Sequence, residues 1–474
     1  MGQNKKFLTF IQNIFKVAMS NFFILLAGIL TGFIIPKIMR VTDYGYYKTF
    51  TLYISYSSIF RFGIVDGIYL LYGGKTYDEL NKDKFKFFSQ TLMVIEAFVS
   101  LVLIIVCVVL MNNDHKFIFA FVSLYIWSFN LTSYYQVISQ ITGRFSELSF
   151  RNFLQAIVTS VGVIFFWSIC LKNNTNLNYE NYIIFYVLTQ FLLTFWYIYT
   201  YRDISFGRVD KKEKNLADIF DLCKLGIPLL LSNICATLLL NIDSQFVNVS
   251  YSNTVYAKYA FAYNLLSIVT VATSAISTVI YPILKRVDRK NLQKNYVLIE
   301  SSMLVLVFAM LVIYFPLEWF INCFLEKYSD SLEIFAIIFP GLAMSTVITV
   351  VMHNYYKTLG KNFEYFLKSL TVLFLSILAN FIANYFWHKP SAISIASIVV
   401  MFFWYMLIES YFIKEFKIRW LNNLSYLVVM ISLFYLSTNI FNSVIGLFIY
   451  LLLGTIITFF MQRDKIDKVK KFFN

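Results

Sequence analysis

Apolar runs of about 20 residues alternate with short polar connections along this chain, and the alternation repeats about fourteen times. A helix that crosses a bilayer needs roughly 20 mostly apolar residues, because it rises only about 1.5 Å per residue. In the first half the runs lie at 14–36, 49–72, 87–111, 117–141, 148–171, 181–201 and 219–247. In the second half they lie at 256–283, 296–321, 333–356, 363–387, 391–413, 421–440 and 443–461. The pattern predicts an all-α polytopic membrane protein of about 14 transmembrane helices, since helices alone satisfy their own backbone in lipid segment by segment. The longest polar connection, RDISFGRVDKKEKNLAD at 202–218, falls near the middle. The expected organisation is therefore an N-terminal six-helix bundle (1–205), a linker (206–218), a second six-helix bundle (219–414), and two additional helices with a basic tail (415–474).

The two halves share a plan. MRVTDYGYYKTFTLY (39–53) follows the first span and VSYSNTVYAKYAFAY (249–263) follows the seventh; each is a polar turn leading into a Tyr-rich helix entry. Aligning Asp43 with Asn253 sets Tyr46 on Tyr256. A duplicated pair of bundles is a common transporter plan with the site at the repeat interface.

Composition agrees with this pattern and charge orients it. The chain is 59% hydrophobic and only 14% charged, with a mean hydropathy of +0.67; soluble domains average about 25% charged residues. The net charge of +14 does not point to nucleic acid, because of where it sits. With the N-terminus placed inside, 31 of the 40 Lys and Arg lie in or beside inner connections and eight lie outside. The positive-inside rule then places both termini in the cytoplasm and favours an even number of spans. Lys5 and Lys6 precede an apolar run that continues through Gly32 without a small-residue cleavage site, so no cleavable signal is expected. The cysteines (107, 170, 223, 235 and 323) are scattered singly and read as small apolar residues. His115, His353 and His388 are too dispersed for a metal site, and no cofactor is expected.

Candidate chemistry is confined to a few polar residues inside spans. GGKT at 73–76 is no nucleotide loop: a phosphate-binding loop requires glycine where Tyr69 stands and a preceding strand. It reads as a helix end. In RFGIVDGIYLLYGG (61–74), Arg61 lies mid-span, where an arginine costs roughly 2.5–3.5 kcal/mol on insertion scales and so faces a cavity or partner. A guanidinium there can grip phosphate oxygens with paired donors; the alternative is a buried ion pair. On one continuous helix Asp66 would stand about 140° away from Arg61 and not share its face. Asp66 lies between Gly63 and Gly67, a spacing that permits close helix contact, and reads as a structural link. Asp243, with Asn241 and Gln245 beside it, could hold a coupling proton or cation; the alternative is an ion pair with Lys258 or Arg40. Lys37 and Arg40 break the positive-inside pattern and are candidates, with Lys258, for meeting an anionic substrate, headgroup contact being the alternative. Glu96 and Glu300 read as single acids that snorkel from the inner halves of their spans.

TGFIIPKIMRVTDYGYYKTFTLYISYSSIFRFGIVDGIYLLYGGK (31–75) resembles the opening of Wzx-type polysaccharide, or O-antigen, flippases, members of the multidrug/oligosaccharidyl-lipid/polysaccharide exporter superfamily. The proline closing the first span, the DYG turn and the GxxDGxYLxYGG-like close of the second carry the likeness; GRFSE (143–147) and LGIPLLLSN (225–233) extend it. The resemblance implies two bundles that rock around a cavity and move an isoprenoid-pyrophosphate-linked oligosaccharide to the outer leaflet of the bacterial plasma membrane. Implied partners are that lipid-linked substrate, membrane lipids, a coupling proton or sodium ion, and other polysaccharide assembly proteins. It also implies that Arg61 engages the anionic head. Two other functions compete: an ion-coupled multidrug antiporter of the same fold, which would want acids facing a cationic drug, and a membrane-embedded polysaccharide polymerase, which would want a long outer loop. Outer loops here are about a dozen residues at most.

Overall fold

The computed structural model describes residues 2–285, 287–418 and 421–473, and nearly all of them are helical. The only strand-like pairing among the described residues is an isolated bridge between Met39 and Leu177. Two compact units divide the chain, Met1–Leu238 and Leu239–Asn474. Each of the fourteen expected spans falls on a helical segment. Among the described residues, nine helices are individually long and apolar enough to cross a membrane, or up to eleven if each of two bent pairs is one span.

The first unit contains α1 (Gly2–Ile38), α2 (Val41–Ile54), α3 (Ile64–Tyr72), α4 (Lys82–Leu110), α5 (Asn113–Ile141), α6 (Phe145–Asn173), α7 (Tyr179–Thr200) and the start of α8 (Leu216–Ser250). The unit boundary thus lies inside α8, one half-helix beyond the polar 202–218 connection. Asparagine caps open two of these helices: the Asn81 side chain accepts from the Lys84 N–H and the Asn178 side chain from the Glu180 N–H, each satisfying an end donor that has no helical partner. α5 is the axis of the unit and packs against α2, α3, α4 and α7, while α1 lies along α6. The outer faces of α4 and α6 expose Phe98, Val109, Leu110, Phe165 and Leu171, the expected surface of helices that meet lipid.

Tyrosines fill the core of this unit, and in lipid each buried hydroxyl needs a partner. Tyr134 donates to the Phe85 carbonyl at 2.7 Å, Tyr135 bonds Ser89 (2.9 Å) and Ser205 (2.7 Å), and Tyr201 bonds Ser139 (2.7 Å). The second predicted span is not one helix. A 3₁₀ turn, Ser57–Arg61, leads to Phe62 (φ 49°) and Gly63 (φ 82°), and the chain restarts as α3 with a bend of 62°. Two successive left-handed residues cannot continue a right-handed helix.

The second unit holds the end of α8 with α9 (Asn253–Leu284), α10 (Arg289–Met310), α11 (Tyr314–Phe324), α12 (Ser331–Ile338), α13 (Gly341–Thr346), α14 (His353–Thr358), α15 (Asn362–Trp387), α16 (Pro390–Phe416), α17 (Leu421–Asn439) and α18 (Ser443–Phe473). A six-residue π-helical segment, Val347–Met352, joins α13 to α14. The chain bends by 48° between α12 and α13, where Pro340 supplies no N–H and crowds the preceding turn. This bent segment is the buried centre of the unit, packed by α9, α10 and α16. All five cysteines are free thiols.

Candidate functional site

The break after Arg61 reorders the polar residues of the first unit. Because α3 starts in a new direction, Asp66 faces Arg61: Nη2 donates to Oδ1 at 3.2 Å, and Nε lies 3.1 Å from Oδ2. The Nε contact is close but poorly aligned, so the pair is one hydrogen bond plus a charge contact. The expectation that these residues occupy different faces therefore fails, because the 140° separation assumed an unbroken helix. Asp66 is buried and the Arg61 side chain is 14% exposed. A third ionisable group, Glu96 on α4, is fully buried within electrostatic reach of Arg61. It accepts from Asn130 Nδ2 at 3.0 Å, and the same amide donates to the Ser57 carbonyl at the 3₁₀ turn, also at 3.0 Å. Glu96 thus does not snorkel; it is tied into the turn that presents Arg61. One guanidinium faces two carboxyls, inside a core where an uncompensated charge costs several kcal/mol.

Gly63 and Gly67 hold this arrangement against the first half of α8. The Cα of Gly226 sits in the step between them, so close that a methyl on Gly226 would stand 2.0 Å from the Gly63 carbonyl oxygen. Close packing at the small-residue spacing is present, and its partner is LGIP of α8. Lys37, at the end of α1, and Arg40, at the start of α2, are exposed. Arg40 is separated from Arg61 by the whole of α2, about 21 Å of helix, so these cations form no common cluster with Arg61.

In the second unit Asp243 is the centre of a hydroxyl cluster. Its Oδ2 accepts from Tyr259 (2.9 Å) and from Tyr263, and its Oδ1 accepts from the Ser244 N–H at 2.6 Å. Ser394 donates to the Tyr259 hydroxyl at 3.2 Å, and Ser397 donates to Asn380 at 3.3 Å. Asp243 is 2% exposed, and among the described residues no ion pair reaches it. Lys258, one of its expected partners, pairs instead with Asp330. Helices α8, α9 and α16 thus surround one buried carboxylate with hydrogen-bond donors, and α15 adds Asn380 behind them.

Next to this cluster is a cavity of about 450 Å³. Tyr263 belongs to both: it lines the cavity, and its hydroxyl serves Asp243. Asn241, Ser267, Thr270, Ser345 and Thr349 contribute further polar surface, Thr349 from the π-helical segment. Glu300 does not snorkel either. It is 1% exposed, accepts from Tyr405 and, at 2.6 Å, from Asn423, while the nearby Glu409 accepts from Tyr296. Sequence reasoning missed Tyr259 and Tyr263. Their spacing of four residues, which puts both on one helix face, is the signal, masked by the abundance of tyrosine at helix ends. Among the described residues no group of three or more His, Cys, Asp or Glu is arranged for a metal.

Comparisons with solved structures place this architecture. The fold matches the lipid II flippase MurJ in an inward closed conformation with a TM-score of 0.69 at 15% identity, over 95% of this chain and 99% of that one. A mutant of the Vibrio cholerae MATE transporter VcmN matches at 0.59 and 13% identity, over 85% and 97%. A multidrug resistance MATE family transporter of the MOP superfamily, inward-facing, matches at 0.61 and 9% identity, over 84% and 94%. A comparison with curated protein sequences gives no match. The fold is therefore that of MOP-superfamily transporters and flippases, and the chain is a multi-pass membrane protein. Residues 10–288, more than half of the chain, match the family model described as polysaccharide biosynthesis protein, and the chain belongs to that family.

Proposed function

We propose that this protein is a flippase that carries isoprenoid-pyrophosphate-linked oligosaccharide across the bacterial plasma membrane by alternating access, with both termini in the cytoplasm, for capsule or lipopolysaccharide assembly. It performs no covalent chemistry. Membership of the polysaccharide biosynthesis family, on the fold shared with a lipid II flippase, carries this reading. Physical chemistry supplies the rest. A charged glycan head cannot cross lipid unless a polar path shields it, while the lipid tail stays in the membrane. Binding moves the carrier only if the head prefers one conformation over the other.

In this reading Arg61 is the group that meets the pyrophosphate, and Asp66 is the anion that holds its place when no substrate is bound. A phosphate displaces a carboxylate readily because it offers the same paired acceptors with more charge. Lys37, Arg40 and Lys258 serve as outer basic contacts, and Asp243 holds the coupling proton or sodium ion. The two six-helix bundles flanking 206–218 are the moving bodies. Membrane lipids and other polysaccharide assembly proteins are its partners.

The test is loss of the gene in its own cell. Surface polysaccharide should fall, and lipid-linked oligosaccharide should accumulate on the inner leaflet. Unchanged surface polysaccharide with no accumulated intermediate would overturn the proposal. The buried, cation-free Asp243 and the likeness to MATE transporters favour one competing reading, an ion-coupled multidrug antiporter. That reading gains if loss of the gene sensitises cells to cationic dyes and leaves polysaccharide intact.

A further inference from the structure

The cavity of the second unit combines size, polarity and neutrality in a way that selects a ligand. Ten of its eighteen lining residues carry a hydroxyl or amide, and none is charged. Several of the hydroxyls give their hydrogen to their own helix: Ser267 to Asn264, Thr270 to Ser267, Ser345 to Leu342 and Thr349 to Ser345. They thus turn lone pairs, not hydrogens, toward the cavity. A largely apolar, uncharged wall studded with hydroxyls suits a ligand that brings O–H groups, some apolar surface and no net charge. It offers no cation to a pyrophosphate, whose charge calls for one.

Tyr263 adds a switch. A phenol has one hydrogen, and here it is given to Asp243, as is that of Tyr259. Facing the cavity, Tyr263 is then an acceptor only. Once protonated, Asp243 can donate its new hydrogen to the Tyr263 oxygen, which frees the phenol hydrogen for a ligand in the cavity. The groups facing Asp243 are Tyr259 and Tyr263 from α9, Ser397 from α16 and, on its own helix, the Ser244 N–H; none of them is cationic. Behind them stand Ser394 of α16, bonded to Tyr259, and Asn380 of α15, bonded to Ser397. Lys258, one residue before Tyr259, is engaged with Asp330.

We propose that this cavity binds an uncharged sugar ring, a hexose or N-acetylhexosamine of the carried glycan, and that Tyr263 couples its occupancy to the proton on Asp243. This rests on the flippase reading and divides the labour within it: the anionic head belongs to Arg61 in the first unit and a neutral sugar to the second. The coupling is reciprocal, so a bound sugar favours the protonated carboxyl and the proton favours the sugar.

The experiment uses the full chain in lipid nanodiscs and reads its thermal unfolding midpoint with glucose, galactose or N-acetylglucosamine up to about 100 mM, where a Kd of about 10 mM still registers. Inorganic pyrophosphate and tetraphenylphosphonium are the charged comparisons. At least one sugar should give a saturable rise of about 1 °C or more, with apparent affinity several-fold higher at the acidic end of the protein's stable pH range than at the alkaline end. Thr349→Val and Ser345→Ala should each weaken it several-fold, and Tyr263→Phe should remove its pH dependence. Should Tyr263→Phe fail to fold, Asp243→Asn gives the same pH test. The proposal is overturned if no sugar stabilises a protein that unfolds cooperatively, if Thr349→Val and Ser345→Ala both bind as the parent does, or if tetraphenylphosphonium alone binds. Sugar binding that ignores pH in the parent protein overturns the coupling. Failure of these tests in a chain that restores glycan export removes this inference and leaves the flippase reading; sugar binding without export overturns the flippase reading and, with it, the assignment of the sugar to a carried glycan.

Discussion

Gly226 and Gly63 touch backbone to backbone: a methyl added to Gly226 would lie 2.0 Å from the Gly63 carbonyl oxygen and 2.5 Å from the Gly67 nitrogen. Neither neighbour is a flexible side chain, so nothing can swing aside. Gly67 meets the same constraint from the other direction, with the Leu222 carbonyl oxygen 2.2 Å from a hypothetical Cβ. Gly226→Ala and Gly67→Ala should therefore each force α3 away from α8, at a cost at or above the usual 1–3 kcal/mol of overpacking. Gly28→Ala, which meets nothing within 4 Å, is the control. Detergent-solubilised yield and melting temperature check this; parent-like stability in Gly226→Ala would show that the two helices separate freely.

Arg61 and Asp66 give a test that distinguishes support from substrate binding. Removing one partner of a buried pair leaves the other charge unpaired, typically about 3–5 kcal/mol. Arg61→Ala should thus lower both protein level and export. The double variant Arg61→Ala/Asp66→Asn removes both charges and should recover the protein level. If Arg61 grips the anionic head, the recovered double variant still fails to export; if the pair is scaffold alone, export returns with the protein. Arg61→Lys should fold and export poorly, because an ammonium cannot offer paired donors in one plane.

The spans were legible because the bilayer imposes one length on them all, and the windows at 87–111, 148–171 and 363–387 match α4, α6 and α15 to within a few residues at each end. Hydropathy cannot report where a helix breaks. Phe62 is an apolar residue inside an apolar run, yet its left-handed backbone turns Asp66 onto Arg61, and two charges placed apart on an unbroken helix become partners. Gly63 and Gly67 announced close packing by their spacing, but nothing in that spacing points to Gly226, about 160 residues away. Asp243 was conspicuous as an acid in an apolar run. Its ligands were not, because Tyr259, Tyr263, Ser394 and Ser397 are common residues whose meaning comes from three helices converging.

Asp203, in the polar connection after α7, should give the polar surface a small acid-dependent term. Its partial burial alone would raise its pKa, but hydrogen bonds from Lys82 and Tyr77 outweigh this and hold its carboxyl below the usual carboxylate range. A folded pKa below the unfolded one contributes stability that is complete above about pH 4 and fades as pH falls through the folded value. Because the carboxylate is 37% exposed, screening limits the term to below about 1 kcal/mol. Asp203→Asn should therefore melt slightly below the parent at pH 6–8, and the gap should close on acidification to about pH 3. A gap that widens in acid would contradict the assignment.

Asp243 carries the prediction about energy coupling. If it holds sodium, the parent protein should be stabilised by sodium chloride relative to choline chloride at equal ionic strength, by about 1.4 kcal/mol at ten times the dissociation constant. Asp243→Asn should abolish that difference, since an amide lacks the charge that draws the ion out of water. If it holds a proton, sodium and choline should be equivalent, and the parent should instead differ from Asp243→Asn only at pH values where the carboxyl is ionised. Tyr259→Phe distinguishes the cases further: removing one hydroxyl that donates to the ionised carboxylate should destabilise a bare carboxylate, by roughly 1–3 kcal/mol for a buried charged acceptor, and disturb a protonated one less. A sodium or pH response that survives unchanged in Asp243→Asn would remove this residue from the coupling mechanism, and the buried acids Glu300 and Glu409 of the same unit would become the next carboxyls to substitute.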